Sequence, residues 1–373
     1  MEPGVVATPA LVARPLRLEP FAALMLAPNR IGAHASARAF SRPYGEVAER
    51  FAAWQRSGQV ARDDEPAIYL HEYTASGVTV RGLVGALVLT SHAATRDEIA
   101  VLPHEGVHPA QAVELAERMA EMAMNPAPIL LTHRAPPELR ELLRDVRSAP
   151  ADRQFTDRSG QYHRIWTVRS PGTLAAIADG LRDTRALIAD GHHRYAAYGL
   201  LRTDHPELSP STNAGLAMLV DQEDTPLYLG AIHRVLFGLR ITALDRLDPH
   251  VQRGLGPQEA VAALSPSTVV ATDGHEWATV SLHRDDDRLT VEVLQDDVLP
   301  QLGRRPSAIA HAHSVDDALR AVARRRGLAV LMPAPDFVDV LRVAGLGRLL
   351  PEKVTSFQPK PSVGVLIRSL RAG

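Results

Sequence analysis

No cysteine occurs among the 373 residues. That excludes disulfides, thiolate nucleophiles and cysteine-ligated zinc, and it fits a reducing compartment. No run approaches the roughly 20 consecutive apolar residues of a membrane-spanning helix. The first residues show no basic segment followed by a long apolar one, so no secretory signal is expected. Neither charge dominates: 41 Lys and Arg stand against 43 Asp and Glu, for a net charge of −2. No overall field therefore draws the chain to nucleic acid or to a lipid surface. The G-x-x-x-x-G-K-[ST] and G-x-G-x-x-G phosphate loops are missing too, which disfavours P-loop kinases and Rossmann dehydrogenases. These absences predict a cytoplasmic protein with a small-molecule partner, no nucleic acid and no membrane; a homo-oligomer is left open.

Apolar residues make up 45% of the chain, enough to bury a full core, and the length suits two domains. Residues 1–14 read as a loose leader rich in Pro, Ala and Val, residues 15–240 as the main α/β domain, and residues 241–373 as a smaller C-terminal α/β part. Val47, Phe51 and Trp54 recur at helical spacing, and Gly58 ends that helix. Ala67–Tyr73 and Val78–Leu89 alternate as strands around a Thr74-Ala75-Ser76-Gly77 turn. Helices are expected at Ala110–Met124, Pro171–Leu181, Val315–Arg325 and Asp336–Leu346. Strands are expected at Ile129–Thr132, Tyr162–Val168, Leu216–Val220, Leu227–Leu236, Leu328–Met332 and Val363–Arg368. Hairpins mixed with strand–helix alternation give the fold class: α/β (α+β), a mixed β-sheet core flanked by helices.

Chemistry concentrates in Leu187–Tyr198. Ala186-Leu187-Ile188 has the signature of a buried strand, and the residues from Tyr195 onward read as helix. Between them Asp190-Gly191 makes a tight turn, and His192, His193 and Arg194 fill the first helical turn. A helix N-terminus offers unpaired N–H groups and about half a positive charge, which suits phosphate or carboxylate. Gly191 lets backbone approach a ligand closely. Arg194 adds a guanidinium fork, and Asp190 supplies a Mg²⁺ ligand or a proton acceptor. The plain alternative makes Asp190 an N-cap and packs the histidines against neighbouring loops. Charge clustered at a strand end favours a functional site.

The phrase Ile188-Ala189-Asp190-Gly191-His192-His193-Arg194-Tyr195 resembles the hallmark of the DUF1015 family. Co-linear matches extend the resemblance along nearly the whole chain: Pro15-Leu16-Arg17, His104-Glu105, Pro128-Ile129, His163, Trp166, His233-Arg234, and Pro351 through Lys360. The family is similar to ParB-like free-serine kinases. That resemblance implies a ParB-like kinase-type core and phosphorylation of a small hydroxy amino acid, with ATP, ADP or pyrophosphate as donor and Mg²⁺ as cofactor. It makes Asp190, His193 and Glu105 catalytic candidates, with Asp190 also the metal ligand. Gly191, His192, Arg194, His104, His233, Arg234 and Lys360 become substrate or phosphate contacts. The chain departs from the family pattern at Val107, Ala112, Glu114 and Leu115, and at Pro28-Asn29-Arg30. These changes remove a lysine and an arginine that would meet phosphate and an aspartate that would act as base or ligand. Two other readings follow: a nucleotide- or phosphate-binding regulatory protein without turnover, or a zinc-dependent hydrolase at His104 and His108.

The last of these rests on His104-Glu105-Gly106-Val107-His108, a literal H-E-x-x-H. That chemistry needs both histidines on one face of a continuous helix. Pro103, Gly106 and Pro109 argue instead for a loop entering a helix at Ala110. His233-Arg234, at the end of an apolar strand, offers a second cationic contact for phosphate. His311 and His313 precede a helix capped by Ser314, and Arg324-Arg325-Arg326 suits a helix C-terminus rather than a nucleic-acid patch.

Overall fold

The computed structural model describes residues 7–9, 11–33, 44–285, 287–351 and 353–371, with backbone alone for 44–48. It is a mixed α/β fold that divides into two units, Met1–Leu227 with Pro359–Gly373, and Tyr228–Gln358. The break falls near residue 228 rather than 240, and the last fifteen residues return to the first unit instead of extending the second. Residues 1–6 and 10 of the expected leader, and Glu352 of the C-terminal motif, lie outside the described residues. The rest of the leader is not loose. Ala7 bridges to Val107, Val12 to His92 and Ala13 to Ile99, and Val12 is buried.

In the first unit the described residues form a nine-stranded sheet. Its order is Val101–Leu102, Ala186–Asp190, Ile129–His133, Ala214–Asp221, Val78–Val88, Ile68–Ala75, Tyr162–Val168 and Arg153–Thr156, with Leu18–Glu19 also pairing Val78–Val88. Ile129–His133 and Ala214–Asp221 run parallel, while Ala186–Asp190 runs antiparallel to Ile129–His133. The hairpin joining Ile68–Ala75 to Val78–Val88 is tighter than expected. Ala75 pairs with Val78, and both intervening residues take positive φ, Ser76 at 49° and Gly77 at 78°. Two left-handed residues in a two-residue loop match the right-handed twist of the strands they join.

Core strands read as continuous apolar runs because helices cover them: Ala214–Asp221 is buried at every position. Against it lies the helix His192–Asp204, which buries Tyr195, Ala197, Tyr198 and Leu201. The Tyr198 hydroxyl donates to the Leu216 carbonyl at 2.9 Å, and the Tyr195 hydroxyl accepts from the Val12 N–H at 3.3 Å. Tyr198 occupies the space a side chain at position 215 would need, since a Cβ on Gly215 would sit 2.1 Å from the ring.

The second unit, taken by itself, carries a six-stranded antiparallel sheet in the order Val251–Arg253, Trp277–Ser281, Thr268–Thr272, Gly327–Leu331, His233–Phe237, Ala308–Ala312. Helix Val315–Arg324 packs its buried Ala318 and Val322 into the core of this sheet. The apolar run expected as one strand from Leu227 to Leu236 is two, Tyr228–Gly230 and His233–Phe237, which join different sheets.

A buried polar line crosses the first unit. His71 Nε2 meets His163 Nδ1 at 3.0 Å, and His163 Nε2 meets Asp157 Oδ2 at 3.1 Å. Burial and the adjacent His163 push the His71 pKa well below its ordinary value, and burial pushes His163 down against the opposing pull of Asp157.

Two outcomes are expected. Gly215→Ala forces the Tyr198 ring out of its seat and costs about 3 kcal/mol, read as a fall in the urea midpoint; an unchanged midpoint would refute this packing. Because the histidines are neutral when folded, the unfolded chain takes up protons first, so stability falls as pH drops below about 6.5. Denaturation midpoints at pH 7.5, 6.5 and 5.5 check this, and a flat profile contradicts it.

Candidate functional site

The site is built at the carboxyl end of Ala186–Asp190. Its register against Ile129–His133 shifts between Ile188 and Asp190, a bulge that turns Asp190 out of the plain alternation. Gly191 follows with φ 97° and ψ 31°, and helix His192–Asp204 begins at once. The N-cap position is Gly191, which has no side chain, so Asp190 is not the N-cap of the plain alternative. Gly191 is required twice over. Its φ lies in the left-handed region, and a Cβ there would come within 3.0 Å of Ile129 Cγ2 and 3.1 Å of Arg194 Nε and Nη2.

Asp190 lies between two cations. Arg194 Nη2 donates to Oδ2 at 2.6 Å, and Lys360 Nζ donates to Oδ1. Burial alone would push its carboxyl up, but Arg194 and Lys360 together hold it below the usual carboxylate value. Both oxygens are thereby occupied, so Asp190 does not fit the role of Mg²⁺ ligand. Among the described residues no group of three or more His, Asp or Glu is placed to hold a metal. Arg194 differs from expectation as well. Its guanidinium donates to Asp190 and, through Nη1, to the Pro128 carbonyl at 2.5 Å and the Ala127 carbonyl at 3.4 Å, so it fixes the turn rather than offering a fork to a ligand. Lys360, about half exposed, is the cation open to solvent here.

His192 and His193 are held by backbone. His192 Nε2 accepts from the N–H groups of His104 at 3.3 Å and Glu105 at 3.4 Å, and His193 Nε2 accepts from the His108 N–H at 3.1 Å. The His104 ring meets the His192 ring edge-on at 4.6 Å between centroids, and His108 stacks on His193 at 5.9 Å. Burial and His192 drive the His104 pKa well below its ordinary value, against a backbone hydrogen bond at Ile188. Thus His104, Glu105, His192 and His193 do come together. The H-E-x-x-H segment is extended, His108 precedes a helix that starts at Pro109, and the two histidines face different partners. The zinc-hydrolase geometry is absent from this segment.

His233 and Arg234 belong to the second unit. His233 Nδ1 accepts from the Met332 N–H at 3.0 Å, and burial followed by Arg234 and His313 pushes its pKa down to about 4. It is a neutral, structural ring, not the cationic contact expected. Arg234 donates to the Ile232 and Lys353 carbonyls and lines a cavity of about 240 Å³ within that unit.

Lys360 reaches Asp190 because its own segment is clamped. The Tyr73 hydroxyl donates to the Pro359 carbonyl at 2.6 Å, the Gln161 amide donates to the Lys360 carbonyl at 3.0 Å, and Gln161 Oε1 accepts from the Ser362 N–H at 3.2 Å. Tyr73 and Gln161 carry no sequence signal that singles them out.

Gly191→Ala should lose roughly 1–2 kcal/mol from the left-handed backbone alone. It should also raise the Asp190 pKa by displacing Arg194, seen by carboxyl ¹³C titration. A titration identical to that of the wild-type chain contradicts the clamp.

No curated protein matches the chain. Among solved structures it is similar to a mutant free serine kinase in complex with ADP, at 15% identity and a TM-score of 0.38, over 72% of this chain and 89% of that one. It is similar to SbnI with C-terminal truncation from Staphylococcus aureus at 10% identity and a TM-score of 0.40, over 76% and 87%. It is also similar to a conserved hypothetical protein from Pyrococcus furiosus at 14% identity and a TM-score of 0.37, over 71% and 92%. Likeness at this level carries no functional weight. Sequence similarity reaches further: the family profile described as protein of unknown function (DUF1015) matches residues 8–303, and the chain belongs to that family.

Proposed function

We propose that this chain is a small-molecule phosphotransferase with a ParB-like kinase-type core, acting on the hydroxyl of serine or a similar amino acid, with ATP, ADP or pyrophosphate as donor. One observation carries the reading: a helix N-terminus opened by Gly191 stands directly beside a carboxylate shared by Arg194 and a half-exposed lysine. Phosphoryl transfer asks mainly for charge stabilisation and alignment. The N–H groups of the first helical turn and the Lys360 ammonium supply the charge, and His192 and His193 form the rigid floor of the turn.

The ion pair explains how Asp190 serves as base despite its depressed pKa. An arriving phosphate oxygen draws Lys360 away from Oδ1. Losing that cation raises the basicity of Asp190 and frees an oxygen to take the proton of the acceptor hydroxyl. The acceptor oxygen then bonds to phosphorus as the bond to the leaving phosphate oxygen breaks. His193, with Nε2 accepting from backbone, carries its proton on Nδ1 when neutral and donates there. Glu105, on the loop that holds His192, is the second candidate base. The resemblance to the kinases implies Mg²⁺, but the donor set at Asp190 does not fit it and no step runs through a metal. A binding protein without turnover is the second reading, favoured by the commitment of Arg194 to Asp190 and two backbone carbonyls.

Incubation with serine and each donor in turn, followed by mass analysis, should yield phosphoserine. Lys360→Gln should lower the rate about 100-fold, the scale of removing one charge-stabilising donor. Absence of product with every donor from folded protein overturns the enzymatic reading, and saturable nucleotide binding in that case supports the second.

A further inference from the structure

At the other end of the same sheet is a second cluster that the phosphotransferase reading does not use. His133 and Asp221 are neighbours in register where two parallel strands finish. In sheets of this kind the carboxyl ends of parallel strands are where ligands collect. The helix Pro137–Ser148 follows, presenting Arg140, Arg144 and Arg147 at helical spacing along one face. Together with Arg81 these three line a cavity of about 40 Å³, whose only acidic lining groups among the described residues are Asp221 and Asp224.

The pairing inside this cluster is unequal. Asp221 accepts from Arg140 Nε at 2.5 Å and from the N–H groups of Ala135 and Glu223. Asp224 accepts from Arg81 at 2.5 Å. Arg144 and Arg147 are exposed and meet no hydrogen-bonding or ionic partner among the described residues. Beneath them His133 is 95% buried, and its Nδ1 lacks a hydrogen-bond partner among the described residues. A buried polar nitrogen left unpaired is costly and rare. The His133 ring lines this cavity, where Arg81 is shared by Glu72 and Asp224 and Arg140 by Asp221 and Glu223, which leaves the positive surplus on Arg144 and Arg147.

We propose that this cavity is a binding site for a phosphate group, either inorganic phosphate or the head of a small phosphate monoester, with His133 Nδ1 donating to it and Arg144 and Arg147 closing over it. The volume decides the size of the ligand. It holds a few waters or one tetrahedral oxyanion, so the body of a monoester lies outside, against Leu143 and the arginine stems. Neutral imidazole supplies a single N–H donor, and burial, opposed by Asp221 and reinforced by Arg140, pushes the His133 pKa down to about 4, so the ring is neutral at physiological pH. Guanidinium groups match the oxygens of phosphate better than ammonium does. This site does not depend on the activity proposed above.

The test is titration of the full chain with inorganic phosphate and with methyl phosphate at matched ionic strength, followed by calorimetry and by the ¹⁵N resonances of the His133 ring. Saturable binding should shift the Nδ1 resonance. The exposed double substitution Arg144→Gln/Arg147→Gln, which leaves the core untouched, should weaken binding at least tenfold, while Lys360→Gln should leave it intact. Tighter binding of methyl phosphate assigns the site to a monoester, and equal or weaker binding to the free anion. Binding lost in Lys360→Gln but kept in the double variant places the phosphate at the Asp190 turn and overturns the proposal. So does the absence of saturable binding, or displacement by single-stranded RNA with a steep salt dependence, which assigns the arginine face to nucleic acid.

Discussion

The seat of Tyr198 against Gly215 is the contact on which the geometry around Asp190 depends. Where residue 215 lacks a side chain, the ring lies flush on a strand buried along its whole length, and its hydroxyl ties down the Leu216 carbonyl. Tyr195 adds a second anchor one turn earlier, toward Val12. Two aromatic side chains with their polar ends satisfied leave the helix little freedom to roll or slide. Its first turn is therefore held at a set height above the strand end, and Gly191 supplies the left-handed backbone of the turn without steric cost. A binding turn is only as well placed as the shell that supports it.

Lys360 shows the same logic at longer range. It meets Asp190 across 170 residues of sequence, and what brings it there is a polar line through the first unit. His71 and His163 lie neutral and stacked within the sheet, His163 points to Asp157, and Asp157 gathers the N–H groups of Ser159 and Gln161. Gln161 then grips the Lys360 carbonyl and the Ser362 N–H, while the Tyr73 hydroxyl holds the Pro359 carbonyl on the other side of the lysine. Burying neutral imidazoles costs far less than burying charged ones, and each hydrogen bond in the line offsets part of that cost. A lysine held by its backbone keeps a mobile side chain, which suits a group that must exchange one anion for another.

Much of this is written locally. Tyr162–Val168 and Pro171–Leu181 have the bounds their periodicity predicts, and the strand–turn–helix at Asp190-Gly191 follows from an apolar run, a glycine and an aromatic helix face. The prolines around His104 and His108 correctly mark a loop. The i,i+4 spacing of Asp190 and Arg194 was also there to be read as an ion pair, and that reading would have removed Arg194 from the ligand contacts. What was not legible is non-local. Nothing near Gly215 announces that Tyr198 fills its space, and nothing near Lys360 announces Asp190. In the second unit Val251–Arg253, Thr268–Thr272 and Trp277–Ser281 are not legible, because strands of three to five residues mixing Val with Gln, Arg, Thr, Ala and Ser carry almost no periodic signal. The neutrality of His233 is not legible either, because strand-end position says little about burial, and burial is what makes the ring neutral.

The inverted strand gives the sheet its division of labour. In a purely parallel sheet every carboxyl end opens on one edge, and ligands compete for a single crevice. Here Ala186–Asp190 runs against Ile129–His133 and Ala214–Asp221, so Asp190 ends on one edge while His133 and Asp221 end on the other. Asp190 pairs with Leu130, three residues from His133, so at a rise of about 3.3 Å per residue the two groups lie roughly 10 Å apart along the strands, a little more than the Debye length of about 8 Å at physiological salt. Charges at the two edges are therefore partly screened from each other across solvent. One edge can hold a carboxylate poised between two cations while the other gathers a surplus of arginine, and neither arrangement need compromise the other. The antiparallel pairing of Ala186–Asp190 with Ile129–His133 thus lets one sheet present two separate clusters of charge at its opposite ends.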